Sequence, residues 1–293
     1  MSILNDDRKK LSSRRSISAA KEKMANKSVS TEVKIFPPFG YRELHALNRD
    51  DFVRMHSLGE VPTFAAVNEI LPLTYTEFFV ASSDYPIVFT QSNGDFMPVV
   101  LVGLERGVSL FAQHDGRVWR WDVNNYLPAY VRRHPFCMST VNGQAGEDDE
   151  LLVCVDKDYV GNQASEYYVR LFDDELPTER WGKIEQFLQS YQADIVATAA
   201  FTKLLNDFGL FQPVSANLMP DGLEDPLAFD GMFAIDEAKL NTLEDSVLLE
   251  LHRNGYLPRI YAHLKSLQNF QKLWYRLEAQ QFSAQSKLLA FNA

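Results

Sequence analysis

Three consecutive residues, Arg132-Arg133-His134, place two guanidinium groups and an imidazole at the end of an apolar segment that stops at Pro135. Arginine presents a rigid fork of donors, so such a cluster can clamp a carboxylate or a phosphate. Arg132, Arg133 and His134 are therefore the candidate anion-binding residues. A simpler reading stands beside it: positive residues in a last helical turn offset the negative end of the helix dipole. A second cluster, Asp156-Lys157-Asp158, follows an apolar run. Paired carboxylates at a strand end can hold a hard divalent cation against a nucleotide diphosphate. In an acidic chain they serve equally as a solvated exit loop, and that reading is preferred.

Trp119 and Trp121 alternate with Val118 and Arg120. On a strand both indoles share one face, either as a sugar platform or, the reading adopted, as core and hydrophobic ledge. The histidines at 45, 56, 114, 134, 252 and 263 show no local metal spacing. His263 falls near the apolar side of a helix and reads as a satisfied, partly buried side chain. An iron site of two histidines and a carboxylate, assembled over distance, stays open because tertiary proximity is invisible at this level. Cys137 and Cys154, 17 residues apart, have no metal-type spacing and read as buried free thiols. The phosphate loop, dinucleotide turn, zinc helix and nucleophile elbow are all missing from the sequence. No catalytic residue, metal ligand or cofactor is assigned.

The elements that must position these residues lie within 293 residues of which 46% are hydrophobic and 23% charged, the proportions of a folded chain rather than a disordered or fibrous one. The net charge of −10 is uneven: residues 1–27 carry eight basic and three acidic side chains, leaving −15 on the rest. An acidic body repels phosphate backbones, so nucleic acid is not an expected partner. The basic segment reads as a flexible, solubilising tail. It lacks the apolar stretch of about 7–15 residues that a secretory signal needs. No window reaches the roughly 18 apolar residues of a membrane helix. A cytoplasmic location follows as the expectation.

From residue 33 to 36 a strand is expected, ended by Pro37-Pro38. A short helix is expected over 74–81 and strands over 85–90, 97–104 and 109–113, with Asn93-Gly94 as the clearest hairpin turn. A short helix over 127–134, an acidic loop over 143–150 and a strand over 151–156 complete this half. From Thr178 onward, Trp181, Ile184, Leu188, Tyr191, Ile195, Leu205 and Phe208 recur near the helical period, with Gly209 as the stop. Strands over 214–218 and 227–235 are followed by a capping box at Thr242–Asp245 and a helix closed by Gly255. One last long helix buries Ile260, Leu264, Leu267, Phe270, Leu273 and Leu277. The fold class is α+β: a β-rich N-terminal half with hairpins packed against a predominantly helical C-terminal half. We expect a basic tail over 1–31, one folded unit over 32–285 (β-rich to 160, helix-rich over 178–282) and a short tail over 286–293.

Several segments, in order, resemble the SapC family of bacterial proteins. They are Ser83-Asp-Tyr-Pro-Ile-Val-Phe89, Val100-Leu-Val-Gly-Leu104, Ser109-Leu-Phe111 and Tyr126-Leu-Pro-Ala-Tyr-Val-Arg-Arg-His-Pro-Phe136. Gly231-Met-Phe-Ala-Ile-Asp-Glu-Ala-Lys-Leu240 and Tyr261-Ala-His-Leu-Lys-Ser-Leu267 continue the likeness, which spans roughly residues 45 to 275. The basic N-terminal extension and the acidic stretch at 146–150 depart from the family pattern. The resemblance implies a role tied to the bacterial surface layer, the envelope or nutrient uptake, with a protein partner. Family members are often encoded near outer-membrane receptors and halogenase-like or cupin-like proteins. It supplies no catalytic residues. The expected function is a non-enzymatic accessory or binding protein; the alternatives are a metal-dependent transferase or oxygenase, or a partner subunit of a halogenase-like or cupin-like enzyme.

Overall fold

The computed structural model describes residues 37–140, 151–174, 176–214 and 231–291. The expected strand at 33–36, the basic tail, the acidic loop, nearly all of the strand expected over 214–218 and the first residues of the one expected over 227–235 lie outside these residues.

The hairpin at Asn93-Gly94 organises the largest sheet. Both turn residues take positive φ, 53° and 91°, the geometry that matches the twist of the flanking strands. Ile87–Ser92 pairs with Asp95–Leu101 from Ile87 opposite Val100 to Ser92 opposite Asp95. The remaining strands come from both halves of the chain, so the five-stranded antiparallel order is Phe211–Pro213, Met232–Ile235, Ile87–Ser92, Asp95–Leu101, Ile70–Pro72. Ile87, Val88 and Phe89 are all fully buried rather than alternating, because this strand is covered on both faces. The described residues also form three three-stranded sheets and one strand pair. One joins Leu44–Ala46, Leu151–Asp156 and Phe136–Thr140; another sets Phe52–Arg54 between Val160–Gly161 and Tyr168–Arg170. The third holds Trp119–Trp121 between Glu60–Val61 and Ala112–His114.

The helix expected from Thr178 runs as Glu179–Asp207. Thr178 caps it by accepting from the Trp181 backbone N–H at 3.2 Å, and Gly209 ends it at φ 60°. Its 29 residues reach across two cores. Trp181 and Leu188 pack with Val53, Phe136, Val155 and Leu171, while Phe201 and Leu205 pack into the main core around the large sheet. The expected stripe therefore holds, except that Ile195 stays 38% exposed.

Two expectations change. The last helix is two helices, Leu257–Ser266 and Asn269–Phe291. The break is tied to the core: Ser266 Oγ accepts from the Ile87 backbone N–H at 2.9 Å, and Asn269 Nδ2 donates to the Ser82 and Tyr85 carbonyls at 2.8 and 3.0 Å. The capping box at Thr242 also does not form. The following helix starts at Asp245 with Glu244 as an uncapped N-cap, because the Thr242 hydroxyl donates back to the Lys239 carbonyl. A capping box forms instead at Thr74 and Glu77, opening the short turn Tyr75–Glu77 and the helix Phe78–Ala81.

Candidate functional site

Two histidines 78 positions apart meet in the interior. His56 follows the strand Phe52–Arg54, and His134 follows the short helix Ala129–Arg132, joined to Pro135 by a cis peptide bond. Their ring nitrogens, His56 Nε2 and His134 Nδ1, lie 2.8 Å apart. His134 Nε2 lies 3.3 Å from Asp156 Oδ2 at the end of the strand Leu151–Asp156. An ionised carboxylate only accepts, so His134 carries its proton on Nε2 and accepts at Nδ1 from the Nε2–H of His56. That assignment leaves His56 Nδ1 as a bare lone pair. It is buried without a hydrogen-bond partner and stands 3.4 Å from Glu60 Oε1.

Glu60 is itself committed. It accepts from Arg54 at 2.5 Å and from the backbone N–H and hydroxyl of Ser57, both at 2.9 Å. Burial alone would raise its pKa, but the Ser57 and Arg54 donors outweigh it and hold the carboxyl at about 2. Burial pushes His56 down to about 4, helped by the neighbouring His134 and opposed by Glu60. Burial likewise lowers His134, against the pull of Asp156. Tyr159 closes the cluster, its ring centre 4.6 Å from His134 and 5.1 Å from His56. The result is a line of groups, Asp156, His134, His56, Glu60 and Arg54, hydrogen-bonded at every step except between His56 and Glu60, which stand 3.4 Å apart.

The structure does not bring the three predicted anion-binding residues together. Arg132 is exposed, donating to the Leu127 carbonyl and the Tyr126 hydroxyl, both at 3.0 Å. Arg133 is buried among tyrosines, its guanidinium carbon 4.2 Å from the Tyr130 ring centre, 4.9 Å from Tyr191 and 5.6 Å from Tyr41. His134 faces Asp156. The carboxylates of Asp156 and Asp158 also part: Asp156 faces His134, whereas Asp158 Oδ2 lies 3.6 Å from Arg42 at the surface. Among the described residues no three His, Cys, Asp or Glu side chains converge as a metal-ligand set.

Trp121 is core, stacked on Phe111 at 5.8 Å, and Trp119 is half-buried beside His114. His263 is fully buried; Nε2 accepts from the Ile235 backbone N–H at 3.0 Å, while Nδ1 has no hydrogen-bond partner. Cys137 and Cys154 are free thiols, directly opposite each other in register and both buried. Sequence reasoning missed His56, Glu60 and Arg54, which carry no motif and become a site only through packing.

None of the histidine cluster lines the molecule's described cavity. That space, about 680 Å³, lies between the long helix and the strand Asp95–Leu101, with Leu73, Phe96, Met97, Val99, Tyr191 and Ile195 in its walls.

The family model for SapC matches residues 47–273, most of the chain. The chain belongs to the SapC family. Within this SapC match fall the whole histidine cluster and every cavity-lining residue except Phe39. No curated protein and no solved structure matches the chain.

Proposed function

We propose that this SapC-family chain is a non-enzymatic accessory or binding protein, acting with a protein partner in bacterial envelope, surface-layer or nutrient-uptake systems. The observation that carries this reading is the separation of chemistry from space. The side chains of the histidine cluster are buried and bonded mostly to one another, and the cavity, which none of them lines, is walled mainly by apolar groups. Catalytic acid–base pairs need a reacting atom within hydrogen-bond reach, whereas binding pockets are mostly apolar with few polar contacts. The family likeness points to the envelope systems; the absence of a helix long and apolar enough to cross a membrane among the described residues suits a protein that docks rather than spans.

The test is metal analysis and native co-purification on the full chain. Recovery with a defined envelope or uptake component, without stoichiometric metal, supports the reading. Stoichiometric iron or manganese that is lost in Asp156→Ala or His134→Ala overturns it in favour of the enzyme.

A further inference from the structure

The cavity beside the long helix is an open trough. Its helical wall runs from Tyr191 to Asn206, roughly 22 Å at the rise of an α-helix. A space of about 680 Å³ along a wall of that length has room for an extended hydrocarbon chain. The polar side chains in the inner wall are already engaged. Thr198 Oγ1 donates to the Asp194 carbonyl at 2.6 Å and accepts from the Tyr75 backbone N–H at 3.0 Å. Thr202 donates to the Thr198 carbonyl at 3.2 Å, and Thr74 donates to Glu77 at 2.8 Å. Apart from Asp95, Lys203 and Asn206, most of what remains facing the space is apolar, and part of it is open to water: Met97 is 54% exposed, Phe39 46% and Ile195 38%. Contiguous exposed apolar surface of this kind marks a binding groove.

One feature selects the ligand's head. Lys203 is the sole cation among the described residues that line the trough, close to its Asn206 end. Its ammonium is held only at the surface, by Asp207 at 2.6 Å, and an exposed pair of this kind is cheap to exchange for another anion. Asp95 is the one carboxylate in the lining, on the hairpin strand. The opposite end is walled by buried Tyr130 and Tyr191, and the nearest cation there, Arg133, is stacked against those rings and is not among the lining residues.

We propose that this trough binds a single-chain fatty-acid-type amphiphile, its hydrocarbon lying along the long helix and its carboxylate beside Lys203. The assignment rests on the binding-protein reading above and names the ligand class for it.

Hexadecanoate titrated into the full-length protein, with hexadecanol as the uncharged control, tests this. Saturable binding of hexadecanoate is expected, weakened tenfold or more in Ala199→Trp, which fills the trough from an exposed helix position. Lys203→Glu is expected to weaken hexadecanoate at least fivefold and leave hexadecanol unchanged. Thermal unfolding of both variants guards against misfolding, and Ala199→Leu supplies a milder filling where the tryptophan disturbs the fold. No saturable binding, or binding indifferent to both Ala199 substitutions, overturns the site; equal loss of both ligands in Lys203→Glu overturns the head-group assignment. Loss of lipid binding alongside intact co-purification with a partner removes this proposal and leaves the accessory reading standing. Conversion of hexadecanoate by the wild-type chain removes the non-enzymatic reading and leaves the site.

Discussion

His56 and His134 share one proton between ring nitrogens 2.8 Å apart, and Asp156 fixes which ring donates. The pair is thereby neutral, and its spare lone pair, His56 Nδ1, points toward a carboxylate it cannot bond without gaining a proton. Acid is the condition this arrangement tolerates least.

The pH dependence has a definite sign. Both imidazoles are depressed in the folded state, His56 to about 4, so the unfolded chain binds more protons at intermediate pH. Stability is full above the unfolded histidine value near 6.5 and falls as pH drops toward 4. For His56 alone the loss is about 3 kcal/mol. Glu60, depressed to about 2, adds its own loss only below the ordinary carboxylate range. Urea unfolding at pH 7.5 and 4.8 checks this, and His56→Gln should flatten the difference. Equal slopes for wild type and variant count against the cluster.

Glu77 joins two distant stretches of chain. It accepts from the Thr74 backbone and hydroxyl at 2.9 and 2.8 Å, from the Tyr126 hydroxyl at 2.8 Å and from the Ala129 backbone at 2.7 Å. Glu77→Gln turns an acceptor-only group into one that presents a donor to these donors, at a cost of about 2–4 kcal/mol. Chemical denaturation measures it; a change under about 0.5 kcal/mol contradicts the role.

Adjacent arginines should behave differently. Arg132 is exposed, and Arg132→Ala should cost about 1 kcal/mol or less. Arg133 fills a buried space between three tyrosine rings, and Arg133→Ala should cost about 2–4 kcal/mol through lost packing and cation–π contact. Matching unfolding midpoints for the two variants would be the contrary result.

The tryptophans separate in the same way. Trp121 is 4% exposed and donates from Nε1 to the Tyr85 hydroxyl at 3.2 Å, so Trp121→Ala should cost about 3–5 kcal/mol. Trp119 is half-buried, and its alanine variant should lose roughly 1–2 kcal/mol. Retained stability with loss of binding on a glycan array would assign the face to sugars instead.

Much of the fold was legible because its signals are local. Asn93-Gly94 announces its hairpin since few residue pairs accept two positive φ angles in succession. Thr178 and Gly209 bound the long helix through a side-chain cap and a left-handed residue, each acting over three or four positions. The same locality explains the errors. Thr242 fits a capping-box pattern, but its hydroxyl had a nearer acceptor behind it. The apolar period of residues 260–277 continues straight through a break that only Ser266 and Asn269 impose, by bonding to backbone some 180 positions earlier.

Composition, turn chemistry and helical period thus sufficed for the α+β class and for the ordered segments that mark the SapC family. They could not reveal that His56 would meet His134, that Met232 and Phe233 would pair with Thr90 and Phe89, or that a trough would open beside Tyr191. Backbone preference and periodicity are decided within a turn or two of chain. Which buried faces meet is decided by the packing of all of them at once, and the histidine cluster and the trough exist only at that level.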